Sequence, residues 1–139
     1  MPIALKVKDV MDKNVFSIDS DATVDDAVKK MVQKNVWSLI VMKGGRPESV
    51  VTERGIIRDC LGKGLSPAKT NVGTIASTPL VTVGPDATIR DAMDIMTLKD
   101  VRRLFVVEKG KIIGRVTQTD LFQSTLTLLE TLSELPDEL

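Results

Sequence analysis

The residues best placed to do chemistry are Thr117, Thr119 and Asp120. Two hydroxyls and a carboxylate fall within four positions, directly after the β-prone residues Ile112, Ile113 and Val116. A threonine followed three positions later by an acid is the capping-box pattern that opens a helix. Residues 114–121 therefore read as the end of a strand turning straight into a helix. Such a turn presents free backbone N–H groups and hydroxyls to whatever lies in front of it. It also places the Asp120 carboxylate in the first helical turn. There the acid caps the helix and meets the positive end of its dipole, which is worth about 0.5–1 kcal/mol with no ligand present. Capping and ligand binding are compatible roles.

The remaining composition excludes much else. Histidine is absent, which removes His-based acid–base chemistry, Ser-His-Asp and Cys-His catalysis, and His-containing metal sites. The single cysteine, Cys60, permits neither an internal disulfide nor a cysteine cluster for a metal. It sits in an apolar helical pattern and reads as buried filler. No nucleophile–base pair, metal cluster or phosphate-cradling glycine loop is visible, so no catalysis is expected. Net charge is zero, against a dedicated nucleic-acid binder. Residues 1–10 carry Lys6, Lys8 and Asp9, unlike a secretory signal. No run reaches the roughly 18 apolar residues of a membrane span. The expectation is a cytoplasmic protein.

The elements that must position the turn follow from periodicity. Residues 7–11 form a short amphipathic turn and residues 15–18 a β-prone run. Thr23 and Asp26 make a capping box. Val24, Ala27, Val28, Met31 and Val32 then predict a helix with one buried face, and Lys29, Lys30, Gln33 and Lys34 face water. Leu39 to Met42 reads as a strand, Gly44-Gly45 as a turn, and residues 49–52 as the returning strand. Residues 55–61 predict a second helix, ended by Gly62 and Gly64. The order is β-α-β-β-α, followed by a polar Gly/Ser/Pro linker.

Everything after the linker repeats. At an offset of 65, Asp21-Ala22-Thr23 falls on Asp86-Ala87-Thr88, Met31 on Met96, Leu39 on Leu104, and Val51-Thr52 on Val116-Thr117. The register holds without a gap from Val7/Val72 to Ile57/Phe122, which marks a duplication. The second helix shows the same apolar face at Ile89, Ala92, Met93 and Met96. The fold class expected is α/β, with tandem β-α-β-β-α repeats too small to bury a core alone and so packed with pseudo-twofold symmetry. The boundaries expected are 7–61 for repeat one, 62–71 for the linker, 72–125 for repeat two and 126–139 for a helical tail. In the tail, Phe122, Leu126, Leu129 and Leu132 form an apolar stripe stopped by Pro136, suited to a homodimer contact that Leu5 and Ile3 would join.

These features resemble a CBS (cystathionine beta-synthase) domain pair, or Bateman module. The resemblance spans residues 7 to about 125. It rests on V-x-D-V-M at 7–11, the twice-repeated D-A-T-V/I-x-D-A, V-R-R-L-F-V-V at 101–107, and the segments V-V-T-E-R-G-I and G-R-V-T-Q-T-D-L. It implies a small sheet with two helices on one face in each repeat. It further implies an adenosine-containing ligand (AMP, ADP, ATP or S-adenosylmethionine) in the clefts between repeats, and often a pairing of two modules into a disc.

By the resemblance, Thr117, Thr119 and Asp120 hold the ribose, the carboxylate accepting from both ribose hydroxyls. Met11, Val15, Phe16, Val36, Trp37 and Ser38 line the adenine pocket. Trp37 has core packing or a dimer contact as its alternative. Arg102 and Arg103 are the phosphate candidates, adjacent at a strand start so that one faces the cleft and the other faces out. Lys13 assists from the preceding loop. The first repeat departs from the pattern, because Gly55 stands where the family has aspartate and Ser49 where it has glycine. One competent cleft is therefore expected, and one weak cleft lined by Leu80, Val81 and Arg103. The expected function is a non-enzymatic regulatory module signalling to a partner protein. The alternative is a ligand-independent dimerisation or scaffolding module.

Overall fold

The computed structural model of the chain describes residues 5–76 and 80–136. Ile3 lies outside the described residues. In chain order the elements are α1 (Val7–Val10), β1 (Ser17–Asp19), α2 (Val24–Lys34), β2 (Ser38–Lys43), β3 (Arg46–Thr52), α3 (Glu53–Asp59), a 3-10 turn (Leu61–Lys63), α4 (Val72–Ile75), β4 (Thr82–Val83), α5 (Ile89–Lys99), β5 (Arg103–Glu108), β6 (Lys111–Thr117) and α6 (Gln118–Ser133). They make a mixed α/β fold with two three-stranded sheets, ordered β1-β2-β3 and β4-β5-β6. In each sheet the first strand runs parallel to the second and the last two form an antiparallel hairpin.

The duplication is visible in detail. Thr23 with Asp26 and Thr88 with Asp91 form reciprocal capping boxes at α2 and α5. Asn35 and Asp100 end those helices in the left-handed conformation, at φ 54° and 53°. Both hairpins turn through a glycine of positive φ, Gly45 and Gly110. Both hairpins shift register at equivalent places, between Val41 and Met42 and between Val106 and Val107.

The chain divides into two compact units. One comprises residues 15–80; the other joins residues up to 14 with those from 81 onward. The lead-in helices are therefore exchanged. Val7 is fully buried in the core with Val83, Ala92, Met96, Leu104, Val106, Val116 and Leu121. Its counterpart Val72 is buried with Val24, Ala27, Met31, Leu39, Val41, Val51 and Ile56. The hydrogen bonds that seat them match. Val7 N–H donates to Ala87 O at 2.8 Å and Lys8 N–H to Pro85 O at 3.0 Å; Val72 N–H donates to Ala22 O at 2.8 Å and Gly73 N–H to Ser20 O at 3.0 Å.

The linker is built into the residue 15–80 unit. Thr70 O and Pro67 O accept from the N–H groups of Val24 and Asp25 at 2.9 and 3.0 Å, satisfying two orphan donors of the α2 N-terminus. Cys60 is fully buried there.

The predicted buried face of α2 is only partly buried: Val24, Ala27 and Met31 are covered, but Val28 is 37% and Val32 76% exposed. On α5, Ala92 and Met96 are buried while Met93 is exposed. A three-stranded sheet covers one narrow stripe of each helix, and the residues one position round from that stripe are left on the flank.

Candidate ligand site

The β6–α6 turn is built as the sequence suggests. Thr117 N–H donates to Asp120 Oδ2 at 2.9 Å, and Asp120 N–H donates to Thr117 Oγ1 at 3.1 Å. Both residues are partly buried, and Thr119 is exposed. Asp120 lines a groove of about 410 Å³ with Leu5, Val10, Ser124 and Leu128. At the equivalent turn, Gly55 N–H donates to Thr52 Oγ1 at 3.0 Å, but glycine returns nothing to the Thr52 N–H. The first repeat keeps half the cap and has no carboxylate at the position that closes the box, its first-turn acid being Glu53.

The lead-in segment crosses the β6 strand beside this turn. Asp12 and Arg115 exchange backbone hydrogen bonds, N–H to O at 2.9 Å in each direction. Their side chains pair as well, Nη2 to Oδ2 at 3.3 Å. The crossing is close: a Cβ on Gly114 would stand 2.7 Å from Met11 Sδ and 3.1 Å from Asp12 O. Glycine is needed here for space. The first repeat holds buried Ser49 at this place, and Ala76 where the lead-in of the other unit has Met11. Arg115 was not singled out in the sequence. The signal was a cation inside a strand where the copy has Val50.

The other predicted residues divide between the units. Met11 packs on the core of the unit holding Thr117 and Asp120, and Lys13 belongs to that unit too. Val15, Phe16, Val36, Trp37 and Ser38 belong to the other. There Val36 and Ser38 are buried, and Phe16 packs on the core beneath Lys34, whose Nζ lies 5.2 Å from its ring centroid. Trp37 is 60% exposed, which excludes plain core packing. Leu80 lies in this same unit, whereas Val81 packs on the core of the other and accepts from Phe105 N–H at 3.0 Å. Arg102 is exposed in a groove beside α5 and α6, while Arg103 pairs across the hairpin with Thr117.

Each unit carries a groove between its two helices, lined at the same repeat positions. In the residue 15–80 unit it is about 300 Å³ and apolar, with Val28, Val32, Trp37 and Ile57. In the other it is about 600 Å³, and Met93, Thr97, Arg102 and Phe122 replace them. Of the tail stripe, Phe122, Leu126, Leu129 and Leu132 are all exposed.

Asp86 is held below its usual carboxylate pKa by the Lys8 ammonium, which lies 3.1 Å away, and by Lys6 at 3.7 Å. Among the described residues no group of His, Cys, Asp or Glu is arranged to hold a metal ion. No described helix is long and apolar enough to cross a membrane.

Comparison with known proteins bears out the duplicated CBS reading. The family model for the CBS domain matches twice, over residues 7–62 and 72–126. An uncharacterised protein of Methanocaldococcus jannaschii is 36% identical over 126 residues, spanning 88% of this chain and 68% of that one. A CBS domain-containing protein of Bacillus subtilis is 30% identical over 115 residues, 83% of this chain and 81% of that one. Among solved structures, a hexameric CBS-CP12 protein from bloom-forming cyanobacteria has a TM-score of 0.82 at 29% identity, covering 92% of this chain and 77% of that one.

Proposed function

Because the chain belongs to the CBS-domain family, with the domain twice in tandem, we propose that it is a non-enzymatic, cytoplasmic regulatory module. It binds an adenosine-containing ligand and passes its occupancy to a partner protein. The observation that carries this reading is the contrast between the two strand-to-helix turns. One has a hydroxyl and a carboxylate locked side by side at Thr117 and Asp120, and the other has lost the acid at Gly55. A carboxylate held by one oxygen in a cap still offers lone pairs to two adjacent ribose hydroxyls. Thr119 and Lys13 lie in the same unit, and the adenine would be read by Met11, Val15, Phe16, Val36, Trp37 and Ser38. Ligand acts by favouring one arrangement of the module over another, which requires different affinity for the two.

Calorimetric titration of AMP, ATP and S-adenosylmethionine into the wild type and Asp120→Ala tests the reading. The variant should bind about ten- to a hundredfold more weakly, the cost of losing a charge-assisted hydrogen-bonding partner. No binding to wild type at millimolar ligand, or unchanged binding to the variant, would sink it.

A second reading, ligand-independent self-association, is favoured by the apolar groove at Val28, Val32, Trp37 and Ile57 and by the exposed α6 stripe. The hexameric state of the cyanobacterial CBS-CP12 protein supports some assembly here, and a homodimer is the form we propose.

A further inference from the structure

Two exposed apolar surfaces stand on different units of the chain, and the charges along their edges are opposite. On α6, Phe122, Leu126 and Leu129 are spaced four and three apart and so form one stripe. Phe122 is 62% and Leu129 57% exposed. Glu130 and Glu134, also four apart, run along its edge. From Gln118 to Glu134 there is no Lys or Arg, and the last turn of α6 holds no base to meet the negative end of its dipole. The CBS match ends at residue 126, so Leu129 and both glutamates lie beyond what the repeat requires.

The groove of the residue 15–80 unit is the complement. Its walls are apolar at Val28, Val32, Trp37 and Ile57. On α3, to either side of Ile57 in sequence, Arg54 and Arg58 are exposed and four apart, the same spacing as the two glutamates. Their counterparts in the second repeat are Thr119 and Gln123, so the fold itself needs no cation at either place. Glu53, the acid in the lining, sits in the first turn of α3, where the helix dipole suits it. Among the described residues none of Arg54, Arg58, Glu130 and Glu134 takes part in an ion pair. A second α6 is a poor occupant for the α6 stripe, because it sets acid against acid. The apolar groove with its basic edge matches that stripe in both respects.

We propose that α6 of one chain docks in the groove between α2 and α3 of a second copy. Phe122, Leu126 and Leu129 enter the apolar groove, and Glu130 and Glu134 meet Arg54 and Arg58 on its edge. Two such contacts related by a twofold axis close a dimer. This inference rests on the self-association reading above and names the two surfaces that meet; it does not depend on the ligand.

The test reverses the charges one surface at a time. One chain carries Arg54→Glu with Arg58→Glu, and another carries Glu130→Lys with Glu134→Lys. All four side chains are exposed, so thermal melts should show both variants folded. In sedimentation over a concentration series at low salt, the wild type should associate. Each variant alone should associate about tenfold more weakly or worse, since like charges then face each other. An equimolar mixture of the two should recover the wild-type affinity, because every α6 then meets a groove of opposite charge. If the wild type stays monomeric at millimolar chain, the self-association reading fails and the docking falls with it. If the wild type associates and either reversal leaves it unchanged, self-association stands and this docking is wrong. Weakening by both variants with no recovery in the mixture also overturns it, because the charges then act without the two surfaces meeting.

Discussion

Thr117 and Asp120 each donate a backbone N–H to the other's side chain, at 2.9 and 3.1 Å, whereas Thr52 Oγ1 accepts from Gly55 N–H and Gly55 has no side chain to accept from Thr52 in return. The two turns occupy equivalent places in one duplicated chain. They differ at the position that closes the capping box, Asp120 in one and Gly55 in the other, and that difference has both a structural and a functional consequence.

The structural consequence can be reversed. Gly55 sits in the first turn of α3 without positive φ. A Cβ there would lie 3.3 Å from Thr52 Oγ1, tight but within what a small adjustment of the threonine accommodates. Gly55→Asp should therefore complete the capping box at Thr52. Replacing a helical glycine and adding the cap should together stabilise by about 1 kcal/mol or more, raising Tm by about 2–4 °C for a chain of this size. Gly55→Ala separates the helix-propensity part from the cap. A Gly55→Asp melt no higher than that of Gly55→Ala would show that the acid makes no cap.

Much of this was legible because it is local or periodic. The capping boxes at Thr23, Thr88 and Thr117 depend on residues three apart, and the fixed offset between repeats exposes the duplication. The exchange of lead-in helices was not legible. Val7 and Val72 are the same residue in the same pattern, and hydrophobicity says that each is buried without saying in which core. Nor could periodicity tell that Val28 and Val32 stay uncovered, because the width of the sheet beneath the helix decides it. Arg115 was hidden for a related reason: its side-chain partner is Asp12, 103 residues away in sequence.

The crossing of Met11 over Gly114 sets a steric prediction. Gly114→Ala puts a Cβ 2.7 Å from Met11 Sδ and 3.1 Å from Asp12 O. The sulfur can move but the backbone oxygen is held in the Asp12–Arg115 bridge, so destabilisation of about 1–3 kcal/mol is expected, as for other overpacked sites. Met11→Ala in the same chain should recover part of that loss, since it approaches the Ser49 and Ala76 pairing of the first repeat. Denaturant melts of the two single variants and the double variant give the coupling. Additive losses would mean that Met11 is not what Gly114 makes room for.

The Lys8–Asp86 contact predicts a small acid sensitivity. Lys8, then Lys6, hold the Asp86 carboxyl below its ordinary value of 3.8. A carboxyl depressed in the folded state stabilises above its unfolded pKa, and that stabilisation is lost as pH falls below 3.8 through the folded value. The pair is exposed and weak, and salt should erase it. The difference in Tm between wild type and Asp86→Asn should be positive near pH 6 and vanish near pH 2.5. A difference that persists in acid would assign the effect to packing.

The paired grooves give a comparison in which each repeat serves as the other's control. Val32 and Thr97 occupy the same position on α2 and α5, but only Val32 lies in an apolar groove, with Val28, Trp37 and Ile57 around it. Val32 is 76% exposed. Its replacement by glutamate should change stability by no more than about 0.5 kcal/mol, as at other surface sites. If the apolar groove is where chains associate, a buried, unpaired carboxylate at its centre should weaken the assembly by about tenfold or more. Thr97→Glu places the same charge in the polar groove, where Arg102 stands nearby, and should leave association unchanged. Sedimentation over a concentration series reads both variants directly. Equal weakening by the two substitutions would point to charge in general, and no weakening by either would move the contact to the Phe122, Leu126 and Leu129 stripe of α6.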